Sequence, residues 1–473
     1  MSSDTPAEGE LFARRAGLLL PISSAPGRHG IGDLGPGARQ VIDWCAAAGF
    51  GWWQMLPVNP VGPGNSPYSS SSAFAGEPLY LSLEALVDEG LLSSADLKAP
   101  ATMARGPVRY HEVREYKLAR LEQAFRTWSG RRGSRRRFDR FCEEQSGWLE
   151  PWAEYVSGGE EEAARRARFL QFQFDLQWRA LRSHASSSGV RLMGDAPIFV
   201  GAESADVRAH PELFRLDRSG APKVLTGCPP DSFTEDGQLW GHPHYAWRAH
   251  RADGFAWWRR RMARQLELFD AVRVDHFIGF HKAWEVPASD DTARNGRWGR
   301  TPGRELLDAL GEELGGLPLV AEDLGAVDEG VLALRDEYDL PGMRILQWGF
   351  SRNSSHAPEH CPEGSVVYPG THDNDTAAGW WRQLPRAERR RFLARSGGSV
   401  HTVSWDLWRM AAGTASHTAI VQLQDLLGLG RAARMNTPGT TRGNWRWRAG
   451  ARDLSRSLAG RSRELNDATN RLA

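Results

Sequence analysis

An eight-stranded parallel α/β barrel is the fold this sequence predicts, and three observations carry the prediction. Eight short apolar runs recur along the 473 residues, each followed by a helix-like pattern. That length suits a barrel with insertions and calls for no second fold. Acidic residues also stand at or just past the ends of several runs, and a barrel gathers its strand ends on one functional rim.

The first run is "AGLLL" (16–20), and the helix "GARQVIDWCAAAG" that follows it ends on a glycine stop. The second, "FGWWQML" (50–56), precedes a stretch from about 80 to 185 rich in charge and helix formers, which reads as an inserted helical subdomain. The third is "VRLMG" (190–194). Residues 201–250 beyond it hold "TGCPPDSFTEDGQLWGHPHY", a long loop region expected to collect substrate contacts. The fourth is "DAVRVD" (270–275), which continues into "HF". Strand alternation puts Val272 and Val274 on one face and Arg273 and Asp275 on the other. The charged face must look into water or into a site, because an unpaired buried charge is very costly. A salt-bridged strand end is the simpler reading of that pair taken alone. "PLVAED" (318–323), "GMRILQW" (342–348), "SVVYPG" (365–370) and "AIVQLQ" (419–424) complete the barrel.

Composition narrows the function classes. A net charge of +1 gives no electrostatic argument for nucleic acid, an anionic membrane or a polyanionic substrate. The basic run "RRGSRRRF" (131–138) lacks companion aromatics and a recognition motif, so it reads as a solvated helix face. Cys45, Cys142, Cys228 and Cys361 form no C-x-x-C pair, which suggests neither a disulfide framework nor a zinc site. No signal-peptide core appears and no apolar run reaches the ~18 residues of a membrane span, so a cytoplasmic location is expected. Twenty tryptophans offer flat apolar rings of the kind that stack on sugars, although most are expected in the core.

Four acidic sites mark the proposed strand ends: Asp195, Asp275, Glu322 and Asp373. Each alone is more often a cap or an ion-pair partner. Together on one rim they fit glycoside cleavage, which needs a nucleophilic carboxylate, a protonated acid for the leaving oxygen and charge to support an oxocarbenium-like state. "GIGDLG" (30–35) has the outline of a dinucleotide fingerprint, but the long "PISSAPGRH" loop before it is the wrong approach for that tight turn. No Gly-Lys pair supplies a P-loop and no G-x-S-x-G a serine elbow. "HDND" (372–375) and "HPH" (242–244) lack strong metal-site spacing, so no metal and no cofactor are expected.

In combination, "GIGDLG", "NSPYSSSSAFAG" (65–76), "GDAPIFV" (194–200), "PPDSFTEDGQLWG" (229–241), "VRVDHF", "AEDLG" (321–325), "THDND" and "RMNTPGT" with "GNWRWR" (434–448) resemble the amylomaltases, the 4-α-glucanotransferases of glycoside hydrolase family 77 in the α-amylase clan. The resemblance covers nearly the whole chain. It implies a single (β/α)8 TIM barrel with inserted, mainly helical subdomains and no separate C-terminal β-domain. It also implies retaining transfer of α-1,4-glucan segments from a maltodextrin donor to glucose or another glucan, without a cofactor. Asp275 would then be the nucleophile, Glu322 the general acid and base, and Asp373 the group that grips the distorted donor sugar. Arg273 would orient Asp275, while His372, Asp195 and Tyr68 would contact the donor, with Ser66 and His276 as further substrate-binding residues. Asp231, Gln238 and Trp240 would lie on the acceptor-side loop and Asn436 would reach the sugar from the last segment. Ile278, Ser232, Ala283 and Pro63 depart from common family residues at subsite positions, not at the carboxylates. An α-1,4-glucan hydrolase of the same clan and a non-catalytic glucan-binding protein are the alternatives.

Overall fold

The computed structural model describes residues 11–133, 135–230 and 234–473. Among them the strands are, in chain order, β1 (Arg15–Leu19), β2 (Trp52–Gln54), β3 (Arg191–Ala196), β4 (Val224–Cys228), β5 (Gln238–Pro243) and β6 (Ala271–Val274). They continue as β7 (Lys282–Pro287), β8 (Arg297–Arg300), β9 (Leu319–Ala321), β10 (Gly342–Ile345), β11 (Ser365–Tyr368) and β12 (Thr418–Gln422). Each of the eight apolar runs supplies one strand of a parallel sheet ordered β10-β11-β12-β1-β2-β3-β6-β9. The Ala321 N–H reaches the Pro341 carbonyl at 2.8 Å and draws the two ends of that sheet together, so the barrel is nearly closed. Every residue of β6, β9, β11 and β12 is buried, which is why these strands read as continuous runs. A side chain at Gly194 would collide with the Phe269 ring, so this glycine lets the chain entering β6 pack against β3.

The first barrel helix, Pro36–Ala48, opens on proline at its first position and closes on Gly49 in the left-handed conformation (φ 73°). Between β2 and β3 the chain passes through helices Tyr110–Gly130, Arg136–Glu144, Ser146–Ser157 and Glu161–Ser187. Aromatic contacts knit them together: the Trp128 ring lies 4.8 Å from Phe138 and 4.9 Å from Phe169. The last helix returns to the barrel, where Trp178 Nε1 donates to the Leu268 carbonyl at 2.8 Å. Arginines of the basic run are used locally: Arg135 lies over the Trp128 ring at 4.6 Å, and Arg131 donates to the Glu89 and Gly90 carbonyls.

The "GIGDLG" turn joins this insertion to the barrel. Its Asp33 accepts from Lys117 Nζ at 3.0 Å and from the Gly35 N–H at 3.1 Å, with both charged groups buried. Loss of either partner would strand the other charge in the interior.

The region 201–250, expected as a long loop, is partly a sheet. β4 and β5 pair antiparallel there, and β7 and β8 extend them to a four-stranded order β5-β4-β7-β8 that reaches residue 300. A register shift between Leu225 and Gly227, with Gly and Pro inside the strands, erases the period-2 pattern that would have revealed them. The insertions are therefore not helical throughout. After β12 come the short helix Leu423–Leu426, a largely irregular stretch and the helix Arg456–Ala468 packed on Pro36–Ala48, with no further strand among the described residues. No helix among them is long and apolar enough to cross a membrane.

Candidate active site

The strand ends of the barrel converge on one connected set of side chains. Arg273, near the end of β6, donates from Nη1 to Asp195 Oδ1 at 2.7 Å and to Asp275 Oδ1 at 2.9 Å. The neighbouring strand β3 supplies Asp195 in register with Arg273. Asp195 Oδ2 accepts a hydrogen bond from the Tyr68 hydroxyl at 2.6 Å, so that hydroxyl is left to accept from His372 Nε2 at 2.9 Å. His372 Nε2 also lies 3.3 Å from Asp373 Oδ2, and Asn436 Nδ2 donates to Asp373 Oδ1 at 2.6 Å. On the other side of Asp275, the His276 N–H donates to Glu322 Oε2 at 2.7 Å. The Trp240 ring meets His276 edge-on at 4.7 Å, and Trp240 Nε1 donates to Gln238 Oε1 at 3.3 Å. Ser66 enters through its Oγ, which accepts the Tyr68 N–H at 3.2 Å. Of the residues singled out in the sequence, Asp231 and Ser232 lie outside the described residues.

Exposure divides the set into base and face. The Asp195 and Arg273 side chains are 0 and 4 % exposed, whereas Asp275 keeps 27 % and Asp373 42 %. The buried pair supports and the open carboxylates meet solvent. Tyr68, expected to contact the donor, has the His372 ring stacked on it at 5.2 Å.

The electrostatics set the carboxyls apart. Burial, with the charges of Asp275 and Asp323, pushes Glu322 well above the usual carboxylate range against the opposing pull of Arg273 and the His276 N–H. Burial and Asp275 raise Asp195 in the same way, with Arg273, His372 and Tyr68 opposing. Burial also acts on Asp373, but the attraction and hydrogen bond of His372, the Asn436 amide and Arg273 outweigh it and hold that carboxyl low. Burial lowers His276 to about 4, so its ring is neutral near pH 7. Glu322 is thus pushed up and Asp373 held down within one site, and carboxyls set apart in this way are the arrangement acid–base chemistry needs.

Several contributors were not singled out from the sequence. Arg434 donates to the backbone carbonyls of Asp373 (2.6 Å) and Asn436 (2.5 Å) and clamps the two segments together. Trp445 lies 5.8 Å from the Tyr68 ring and 6.0 Å from His372. Tyr368 spans the barrel interior to Gln54 Oε1 at 2.9 Å. Arg434 and Trp445 sit inside motifs quoted for the resemblance, and that was the only signal for them.

Asp425, behind the "HDND" loop, accepts the Ala377 N–H on Oδ1 at 2.7 Å, while its buried Oδ2 has no partner among the described residues. Burial and the nearby Asp375 push it up to about 7 against that one hydrogen bond. A carboxyl raised on folding contributes stability that is complete below its unfolded pKa and is lost as pH rises through the folded one. Here that window runs from the ordinary aspartate value to about 7, a loss on the order of 4 kcal/mol. Asp425→Asn mimics the neutral acid, so its melting temperature should fall less than the parent's between pH 5 and pH 8. Equal falls in both proteins would refute this.

Among the described residues, one group has ligand atoms close enough to hold a metal: His29, Asp33 and Glu84, all within 4.8 Å of one another. The Lys117 ammonium already sits on Asp33 there, far from the rim carboxylates in role and in the chain.

The sequence profile of the 4-alpha-glucanotransferases, glycoside hydrolase family 77, matches residues 20–168 and 157–452. A 4-alpha-glucanotransferase of Thermus thermophilus is 40 % identical over 500 aligned positions, covering 97 % of this chain and 99 % of the relative. The chloroplastic/amyloplastic enzyme of Solanum tuberosum is 39 % identical over 96 % of this chain and 85 % of its own. Among solved structures, the amylomaltase of Streptococcus agalactiae in complex with acarbose superposes with a TM-score of 0.94 at 32 % identity, over 97 % of this chain and all (100 %) of that one.

Proposed function

Because the chain belongs to glycoside hydrolase family 77, the 4-alpha-glucanotransferases, we propose that its rim carboxylates carry out a retaining double displacement on α-1,4-glucans. The protein is a 4-alpha-glucanotransferase, a disproportionating enzyme that moves glucan segments from a donor to glucose or another glucan. Asp275 attacks the donor's anomeric carbon as Glu322 protonates the departing glycosidic oxygen, which leaves a covalent glycosyl ester on Asp275. Glu322, now ionised, takes the proton of an incoming sugar 4-hydroxyl. That oxygen displaces the ester, and both carboxyls return to their starting states. Asp373, held ionised, binds donor hydroxyls with Asn436 and His372, and Trp240 with Gln238 borders the acceptor side. Asp231 completes that acceptor-side group in the same proposal. The single observation that supports this reading best is the placement of two carboxyls at the strand ends: Asp275 accepts from the Arg273 guanidinium at 2.9 Å, while Glu322, held by the His276 N–H at 2.7 Å, is pushed by burial well above the usual carboxylate range.

Incubation with maltotriose alone should give glucose and a ladder of longer maltodextrins at a constant total of reducing ends. A steady rise in reducing ends with no product longer than the donor would make the enzyme a hydrolase. Trp240 is expected to set the ratio of the two outcomes, because an aromatic ring on the acceptor side binds sugar while displacing water. Trp240→Ala should raise hydrolysis relative to transfer several-fold, measured as reducing ends gained per glucan bond rearranged. An unchanged ratio in the folded variant would remove Trp240 from this role.

A further inference from the structure

We propose that His276 is a positioning residue for Glu322: its left-handed turn fixes a peptide N–H on Oε2 and so leaves Oε1 as the oxygen that carries the catalytic proton. The proposal rests on the reading of Glu322 as acid and base. His276 has φ 51°, a conformation uncommon outside glycine. In that conformation its N–H meets Glu322 Oε2 at 2.7 Å, while the next N–H, from Phe277, meets the Glu322 carbonyl at 3.1 Å. The Glu322 N–H in turn reaches the Val274 carbonyl at 3.1 Å. Three backbone hydrogen bonds thus lock the segment after β6 to the segment after β9, and one of them ends on the carboxyl itself.

A protonated carboxyl has one carbonyl-like oxygen, the better acceptor, and one hydroxyl oxygen, the donor. An N–H aimed at Oε2 makes Oε2 the acceptor and assigns the proton to Oε1. The same N–H favours the ionised form and restrains the rise of the Glu322 pKa, which keeps the group able to release its proton. The His276 side chain plays a separate part. Its buried ring packs against the edge of Trp240, and Nε2 has no partner among the described residues. The backbone of one residue therefore aligns the acid, while its ring packs on the acceptor-side strand β5.

The test separates backbone from ring. Glycine enters the left-handed region freely, alanine does so reluctantly, and valine avoids it. His276→Gly should keep the alkaline limb of the kcat/KM profile for maltotriose within a few tenths of a pH unit of the parent. His276→Val should move that limb up by about 1 pH unit, the amount one lost hydrogen bond to a charged group implies. Its rate with maltotriose should fall about 100-fold, but far less with α-maltosyl fluoride, whose leaving group needs no proton. His276→Ala should lie between, and it decides against glycine if the valine variant does not fold. Identical limbs in the glycine and alanine or valine variants would overturn the proposal. Glu322→Gln serves as the control: if it leaves the alkaline limb in place, the acid assignment itself has failed, independently of His276.

Discussion

Asp275→Asn is expected to lower transfer from maltotriose by several orders of magnitude while leaving the fold intact. The loss follows from the chemistry, because an amide oxygen does not form the glycosyl ester through which both half-reactions pass. The intact fold follows from the geometry. Arg273 holds Asp195 and Asp275 from one nitrogen, so removal of the Asp275 charge leaves the buried guanidinium paired with Asp195 at 2.7 Å. No uncompensated charge is created, and asparagine keeps an oxygen for Arg273. Initial rates of glucose release together with a thermal melt measure the two halves of this expectation. The same substitution removes one of the charges that push Glu322 upward, so the Glu322 carboxyl should titrate lower in the variant, readable by isotope-edited infrared spectroscopy. Near-parental activity in folded Asp275→Asn would sink the nucleophile assignment.

Glu322→Gln should cause a comparable loss with maltotriose but a different pattern with an activated donor. Burial and the neighbouring acids push the Glu322 carboxyl up and so favour its protonated form, whereas the glutamine amide supplies no proton to a sugar leaving group. Fluoride leaves without that proton, so α-maltosyl fluoride should still load Asp275. The second half-reaction then stalls because no base remains to activate the acceptor hydroxyl. Mass spectrometry of the quenched protein should find one maltosyl adduct, and peptide mapping should place it on Asp275. An adduct elsewhere overturns the nucleophile assignment. Unimpaired turnover of maltotriose overturns the acid. In the parent, transfer should decline as pH rises through the raised pKa of Glu322, since the first step needs its protonated form.

Much of the site could be read before the fold was known, for a local reason. Asp195, Asp275, Glu322 and Asp373 stand beside runs whose burial on both faces makes them visible as strands, and a parallel barrel turns strand ends into neighbours. The antiparallel sheet β5-β4-β7-β8 stayed hidden because its strands are half-buried and broken by glycine, proline and a register shift. The place of "GIGDLG" in the fold was not legible, because its pairing with Lys117 depends on an inserted helix that lies 84 residues away in the chain.

By itself the sequence determined the barrel, the inventory of carboxylates on its rim and, through its motifs, the family. These are properties of short segments, whose hydrophobic period and residue types survive without knowledge of what they touch. The tertiary structure alone decided that Arg273 is shared between Asp195 and Asp275, that Asp373 is held low by His372 and Asn436, and that Glu322 is pushed up by burial with a peptide N–H from His276 on one oxygen. It also decided that Asp425 is buried with one oxygen unpartnered among the described residues. A carboxyl's charge state is set by burial and by groups a few ångströms away, and in this chain those groups come from segments up to 304 residues distant, as Tyr68 and His372 are. Only closure of the barrel brings them within range.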